Sequence, residues 1–219
     1  MRAFVAARAA SSCSEPAPLL AEARNFFSLA QQFLNPSAPH LLAIGGFSGT
    51  GKSALARSLA PRLGAAPGAL VLRSDEIRKQ LAGAPLLEPL PPSAYTIQNS
   101  AQVYACMVAR ARTALSAGHS VIADAVYARA AERAAVAEAA KETGVAFQGL
   151  WLEAPLAVLE QRIGARRGDA SDADAQVARR QFSYDTGAIG WTRIDASGTA
   201  EETLARVMRE HTEGLGLTA

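Results

Sequence analysis

The chain has 219 residues, a formal net charge of +2, and 49% hydrophobic and 19% charged residues. A chain of this length buries enough apolar surface to fold as one α/β domain without a disulfide or a structural metal. The small net charge does not indicate a general nucleic-acid-binding protein, and no apolar run approaches the roughly 20 residues of a transmembrane helix. We therefore expect a cytoplasmic protein with no membrane segment.

The first 38 residues differ in composition from the rest. Ser11–Pro18 is typical of a linker, and Leu19–Leu34 has the apolar spacing of a short amphipathic helix. The proline-containing stretch 35–39 then ends that helix. We predict a boundary at 38/39, with residues 1–38 forming a lead-in or the remnant of an upstream domain.

From residue 39 onward, strand-like and helix-like segments alternate, which is typical of a parallel sheet covered on both faces. The predicted strands are Leu41–Ile44, Ala69–Arg73, Ser120–Ala123, Val145–Leu152 and Trp191–Ile194. The first predicted helix starts at Lys52 and ends near Pro61. The others span about Tyr95–Ala117, Arg129–Thr143, Leu156–Arg166 and Ala200–His211. The proline-rich segment Gly83–Pro92 is predicted to be a loop.

A phosphate-binding loop is predicted between the first strand and the helix after it, because residues 46–53 match G-x-x-x-x-G-K-[ST]. The glycines let successive backbone N–H groups point at phosphate oxygens, and the helix N-terminus adds its positive dipole end. Lys52 is expected to reach the β- and γ-phosphates of ATP, and the Ser53 hydroxyl to bind Mg²⁺. The residues predicted to hold the nucleotide here are Gly46, Phe47, Ser48, Gly49, Thr50, Gly51, Lys52, Ser53 and Ala54.

Residues elsewhere in the sequence indicate which reaction the protein carries out with the nucleotide. None of the three asparagines begins the Asn-Lys-x-Asp element of GTPases. Asp124 ends the third predicted strand and is a candidate Mg²⁺ ligand, although it could instead cap a turn. Ala125 follows it where an ATPase motor usually has the glutamate that activates water. The pattern therefore favours transfer of phosphate to a substrate hydroxyl.

A candidate base for such transfer follows the second predicted strand, where Ser74, Asp75 and Arg78 form S-D-x-x-R. Asp75 and Arg78 are one helical turn apart on one face. Asp75 is suited to take the proton of an acceptor hydroxyl, and Arg78 to hold an anionic part of the acceptor or the γ-phosphate. The alternative is that Ser74 or Asp75 only caps the helix that begins there.

A lid is predicted from Arg162, Arg166 and Arg167, which precede the glycine-marked turn 168–172. Arginines on a mobile segment can close over ATP and neutralise charge on the transferred phosphoryl group. Arginines in a last helical turn also have a structural role, because they complement the helix dipole.

Four segments together resemble a known family: G-G-F-S-G-T-G-K-S (45–53), L-R-S-D-E-I-R-K (72–79), S-V-I-A-D-A-V (120–126) and R-R-G-D-A-S-D-A (166–173). They look like the predicted AAA-type kinase domain that forms the C-terminal half of bifunctional aminoglycoside phosphotransferase/ATP-binding proteins. More distantly, they are similar to phage polynucleotide 5′-kinase, zeta toxins and chloramphenicol phosphotransferase. The resemblance runs from about Pro39 to the C-terminus.

The resemblance implies that Asp75 is the general base, that Arg78 lies in the acceptor site, and that Arg162 and Arg166 are lid arginines. It also implies that Ser197 and Gly198 lie near the adenine. Full-length members carry a further phosphotransferase-like domain, which is not found in this sequence, so we expect a fragment or a shortened relative. The aminoglycoside phosphotransferase label belongs to that other domain.

The sequence thus predicts a P-loop NTPase three-layer sandwich, with a five-stranded parallel sheet in the order 2-3-1-4-5, helices on both faces and a small lid. Its predicted function is Mg²⁺–ATP-dependent phosphorylation of a hydroxyl on an unidentified acceptor, a small molecule or a polynucleotide end. A non-catalytic ATP-binding module and a slow ATPase remain alternatives. Basic residues near these motifs would favour an anionic acceptor, unless they are simply solvated: Arg73, Arg78, Lys79, Arg129 and Arg133.

Overall fold

The computed structural model describes residues 1–34, 37–165 and 168–215. The chain divides into two compact units, Met1–Ser37 and Ala38–Ala219. Within the described residues, no helix combines the length and the hydropathy that a membrane crossing requires.

The first unit is a pair of helices, α1 (Arg2–Ala10) and α2 (Pro16–Leu34). The connection between the two helices is shorter than the linker predicted at Ser11–Pro18, because α2 already begins at Pro16. Proline is accepted in the first helical turn, where its missing N–H has no partner to lose. The helix α1 was not predicted from the sequence.

The second unit contains a parallel sheet whose strand order is β2-β3-β1-β4-β5, which confirms the predicted order 2-3-1-4-5. Its strands are β1 (His40–Gly46), β2 (Leu70–Arg73), β3 (Val121–Asp124), β4 (Ala146–Glu153) and β5 (Thr192–Asp195). Its helices are α3 (Lys52–Leu59), α4 (Ser74–Leu81), α5 (Ile97–Ser116), α6 (Ala130–Glu142), α7 (Leu156–Ala165), α8 (Ala175–Phe182) and α9 (Ala200–Leu215). Two short 3₁₀ turns lie at Ala60–Arg62 and Pro92–Tyr95.

Alternate residues of the central strand β1 face opposite layers of helices. Leu41 and Ala43 belong to a core that includes residues of α5 and α6, whereas Leu42 and Ile44 belong to a core with residues of α3 and α9. A strand buried on both faces is therefore apolar throughout, as expected for an all-parallel sheet. This arrangement confirms the three-layer sandwich.

The carboxyl ends of the strands bring distant parts of the chain to one edge of the sheet. Arg73 and Asp124 are paired at the ends of β2 and β3, and Ile44 of β1 pairs with Asp124 on the other side. In open α/β sheets ligands bind at this edge. The segments that carried the sequence motifs therefore meet there.

Candidate functional site

The phosphate-binding loop after β1 has the backbone conformation that its glycines allow. Gly46, Gly49 and Gly51 have φ angles of 133°, 88° and 93°. A Cβ atom at Gly46 would lie 2.5 Å from the backbone oxygen of Leu152, and one at Gly49 would lie 2.8 Å from that of Leu159. Side chains at these positions would therefore strain the loop and collide with neighbouring backbone.

The side chains of Lys52 and Ser53 point toward the loop and the end of β3. Lys52 Nζ donates a hydrogen bond to the Phe47 carbonyl at 2.9 Å, and Ser53 Oγ donates to Asp124 Oδ2 at 2.5 Å. Burial raises the pKa of Asp124, while the charges of Lys52 and Arg73 and the Ser53 hydrogen bond oppose that rise. Two hard oxygen donors side by side, one of them a carboxylate, fit Mg²⁺.

The loop opens into a cleft of about 1210 Å³, which is large enough for a nucleotide and a second substrate. Both predicted acceptor-site residues line it. Asp75 lies in the first turn of α4, half-buried. Arg78, one turn later, donates to the Ala94 carbonyl at 2.8 Å and lies 4.7 Å from the centre of the Tyr95 ring. The catalytic roles of Asp75 and Arg78 stay predictions.

Arg162 of α7, a predicted lid arginine, contacts both the phosphate loop and the predicted adenine-side residues. Its guanidinium donates to the carbonyls of Ser197, at 3.2 Å, and of Gly198, and reaches the Gly49 carbonyl at 3.5 Å. The predicted adenine-side residues thus lie beside the phosphate loop. The other predicted lid arginines, Arg166 and Arg167, lie outside the described residues.

The segment after the predicted lid arginines, residues 168–173, is anchored by two ion pairs that the sequence did not indicate. Asp169 pairs with Arg73 at 3.0 Å, and Asp172 pairs with Lys79 at 2.6 Å. Arg73 also contacts Asp124 at 3.4 Å. Arg73 therefore links this segment to the candidate metal carboxylate.

Three of the five basic residues expected to be solvated or to favour an anionic acceptor are instead buried. Arg73, Lys79 and Arg133 are each less than a tenth exposed. Arg133 donates to four backbone carbonyls, of residues 127, 128, 186 and 188. These charges hold segments of the cleft wall together, so the expectation that they are solvated was wrong. Burial without partners would have been too costly.

Helix α8 adds a residue that the sequence analysis missed. The backbone N–H of Ser48, inside the phosphate loop, donates to Gln181 Oε1 at 2.7 Å. The Phe182 ring lies 6.1 Å from the Phe47 ring. Asp174 caps this helix by accepting from the Val177 N–H at 2.8 Å. The Asp174 cap was the one local signal that a helix begins there.

We expect Lys79→Met to destabilise the second unit by about 3 kcal/mol, because it leaves the Asp172 carboxylate without its buried cation. The shift would appear in urea or thermal unfolding. The control is Lys141→Met, since Lys141 forms an ion pair with Glu138 but its side chain is 78% exposed. Its loss should cost less than about 0.5 kcal/mol. Equal shifts for both variants would show that the Lys79 pair is not a stabilising contact.

The same ion pair predicts a dependence on pH. Burial by itself raises the pKa of Asp172, but hydrogen bonds from Lys79, Tyr95 and the Leu90 N–H outweigh it and lower the pKa. A lowered pKa contributes stability above the unfolded value, near 3.9, that is lost as the pH falls through the folded value. The stability difference between wild type and Asp172→Asn should stay constant from neutral pH to about pH 4 and shrink below that. A difference that grows on acidification would contradict it.

Comparison with known proteins gives a consistent result. The model of the AAA domain family matches residues 41–184. An uncharacterised protein of Mycobacterium tuberculosis is 34% identical over 194 residues, covering 85% of this chain and 37% of that protein. The chain thus spans well under half of the length of this curated relative. The adenylyl-sulfate kinase of Myxococcus xanthus is 32% identical over 126 residues, covering 58% of this chain and 64% of that enzyme.

Among solved structures, a sugar kinase from Janibacter superposes with a TM-score of 0.58 at 19% identity, covering 79% of this chain and 94% of that one. At this level of identity the likeness concerns the fold. It is the fold of P-loop kinases, as the strand order and the glycine-rich loop also indicate.

Proposed function

Since this chain belongs to the AAA domain family and has a P-loop kinase fold, we propose that it is an ATP-dependent kinase that phosphorylates a hydroxyl group. One observation carries the proposal. A single cleft is lined by the phosphate loop, by the Ser53–Asp124 pair and by the Asp75 carboxylate. A passive nucleotide site needs a carboxylate such as Asp124 to hold Mg²⁺, but it has no need of a second one such as Asp75.

ATP binding would use the loop 46–54, with Lys52 next to the β- and γ-phosphates. Ser53 and Asp124 would hold Mg²⁺, which when bound neutralises negative charge on the phosphate oxygens. Arg162 would fix the Ser197–Gly198 segment at the adenine end, since it bonds to both carbonyls. Arg166 keeps its predicted role as a lid arginine on the transferred group.

In the transfer step the acceptor hydroxyl loses its proton to Asp75 while its oxygen forms a bond to the γ-phosphorus. The bond between that phosphorus and the β–γ bridging oxygen breaks, and its electron pair leaves with ADP. Arg78 lies one turn from Asp75 and would orient the acceptor. Ala125, which follows Asp124, provides no carboxylate to activate water, and this supports an alcohol as the acceptor.

The test is transfer of label from γ-labelled ATP, in the presence of Mg²⁺, to pools of metabolites, nucleoside and sugar derivatives, and oligonucleotides with a free 5′ end. Label in an organic product supports the kinase. Release of inorganic phosphate alone would indicate a slow ATPase. ATP binding with no turnover would indicate a regulatory nucleotide-binding module.

A further inference from the structure

The mouth of the cleft on the β2–β3 side is surrounded by large apolar and aromatic side chains that face solvent. Each is between 42% and 69% exposed, and each lines the same cleft as Asp75. We call these five residues the apolar rim: Leu86, Leu87, Tyr95, Ile97 and Tyr184. Exposed apolar residues gathered around a cleft mark a ligand-binding surface more often than scattered ones do.

The loop that carries the two leucines is held in place by the buried Lys79–Asp172 pair. Lys79 Nζ donates to the Glu88 carbonyl, and Asp172 Oδ2 accepts from the Leu90 N–H at 2.9 Å. The same carboxylate oxygen accepts from the Tyr95 hydroxyl at 2.5 Å. These hydrogen bonds fix the loop on both sides of residue 89. Leu86 and Leu87, just before it, are about half exposed to solvent.

The position of the rim identifies that ligand as the acceptor. The phosphate loop follows β1 in the middle of the sheet, and Ser197 follows β5 at one side of it. Asp75, Arg78 and four rim residues follow β2, on the opposite side. ATP would extend from the phosphate loop toward the β5 side, which leaves the rim to the second substrate.

The chemistry of the rim distinguishes between classes of acceptor. A polynucleotide end would need a track of cations on the way in, and a free sugar would need polar groups along its ring. The five rim residues carry no charge, and Lys79 and Asp172 behind them bond to each other. The guanidinium of Arg78 is also engaged, because it lies against the Tyr95 ring and donates to the Ala94 carbonyl. The cleft's other arginines, among them Arg57, Arg129 and Arg180, lie outside the rim. An alkyl or aromatic body gains from covering such a surface, because it removes apolar area from water on both partners.

Building on the proposed kinase function, we infer that the acceptor is an amphiphilic alcohol, in which an apolar alkyl or aromatic body covers the rim and presents a hydroxyl to Asp75.

The test compares acceptors that share a hydroxyl-bearing head and differ only in the apolar body. The pairs are methyl and octyl β-glucoside, glycerol and 1-O-octylglycerol, and propane-1,3-diol and 2-phenylpropane-1,3-diol, all below micelle-forming concentrations. Label transfer from ATP gives kcat/KM for each member. Calorimetry in the presence of a non-hydrolysable ATP analogue gives the Kd for each acceptor. We expect the apolar member to be favoured at least tenfold in at least one pair, in kcat/KM and in Kd.

The variant Leu86→Ser/Leu87→Ser should reduce that preference to less than threefold, while the Kd for the ATP analogue stays within twofold of wild type. The matched control is Leu70→Ser/Leu81→Ser, because these leucines are 46% and 53% exposed and neither lines the cleft. The control should keep the full preference. If the first variant is less stable than the control, Ile97→Ser replaces it, since Ile97 is the most exposed rim residue at 69%.

The outcomes separate this inference from the proposed function. Tighter binding of the apolar members without any label transfer would show that the rim binds amphiphilic ligands, but it would contradict the proposed kinase function. Equally efficient transfer to both members of every pair would support the proposed kinase function but would overturn the inference about the acceptor. Failure of every apolar member to bind would also overturn it. A change of oligomeric state in the rim variant alone, seen by sedimentation, would instead make the rim an interface between copies of the chain.

Discussion

Replacing Lys52 with alanine should leave the chain folded and weaken ATP binding or turnover at least a hundredfold. The ammonium group lies against the phosphate loop, with Nζ 2.9 Å from the Phe47 carbonyl. A cation at this place acts on the β- and γ-phosphates, and a hundredfold loss corresponds to about 3 kcal/mol. Calorimetry measures the affinity for ATP, and coupled release of ADP measures turnover.

The control for this change is Lys141→Ala, on the exposed surface of α6. It removes the same charge from the same unit and should leave both quantities within a factor of two. Near-normal ATP binding and turnover in Lys52→Ala would mean that residues 46–53 do not bind phosphate. In that case every proposal made for the cleft would lose its basis.

Replacing Asp75 with asparagine should abolish phosphoryl transfer while leaving the fold and ATP binding intact. Asparagine keeps the size of aspartate but cannot take the proton of the acceptor hydroxyl. Loss of a general base typically lowers the rate by about 10² to 10⁴. We therefore expect an unchanged melting temperature, a nearly unchanged Kd for ATP and a collapse of kcat, measured with the acceptor that the label-transfer screen identifies.

A neighbouring carboxylate on the same turn of α4 provides the comparison. Glu76 pairs with Arg73 at 3.0 Å and does not line the cleft. Glu76→Gln should keep kcat within about threefold, since a partly exposed ion pair contributes little. If Asp75→Asn transfers phosphate at the wild-type rate, Asp75 is not the general base, and its only role is to stabilise the N-terminus of α4 through its negative charge. If Asp75→Asn unfolds, Asp75→Ser takes its place.

The sequence alone was enough to predict the phosphate loop and the placement of Asp75 and Arg78 on one helix, because both depend on chain-local properties. The strand order was predicted together with the P-loop fold, after the motifs had shown their resemblance to a known family. Glycines at 46, 49 and 51 adopt positive φ angles that other residues rarely accept. The turn from β2 into α4 is encoded by a few consecutive residues, and the alternation of strands and helices restricts the topology to a parallel sheet with crossovers.

Other features were decided only when the chain folded. Lys79 and Asp172 are 93 positions apart, and their pairing depends on which face of α4 the segment 168–173 crosses. Arg73 meets Asp124 because β2 and β3 are neighbours in the sheet. Nothing local distinguishes a buried arginine from a solvated one, because its burial is tolerable only when distant carboxylates or carbonyls supply partners.

The position of the apolar rim could not be predicted from the sequence either, because it also depends on contacts between distant segments. The leucines of residues 83–92 were read correctly as part of a proline-rich loop, but a loop prediction says nothing about where its side chains point. Their position at the cleft results from hydrogen bonds of Glu88 and Leu90 to a buried ion pair formed by two other segments. Local sequence thus specified the phosphate-binding end of the site, where backbone conformation is decisive. Long-range desolvated charge pairs, which only the tertiary structure assembles, shaped the end of the cleft at which we propose that the acceptor binds.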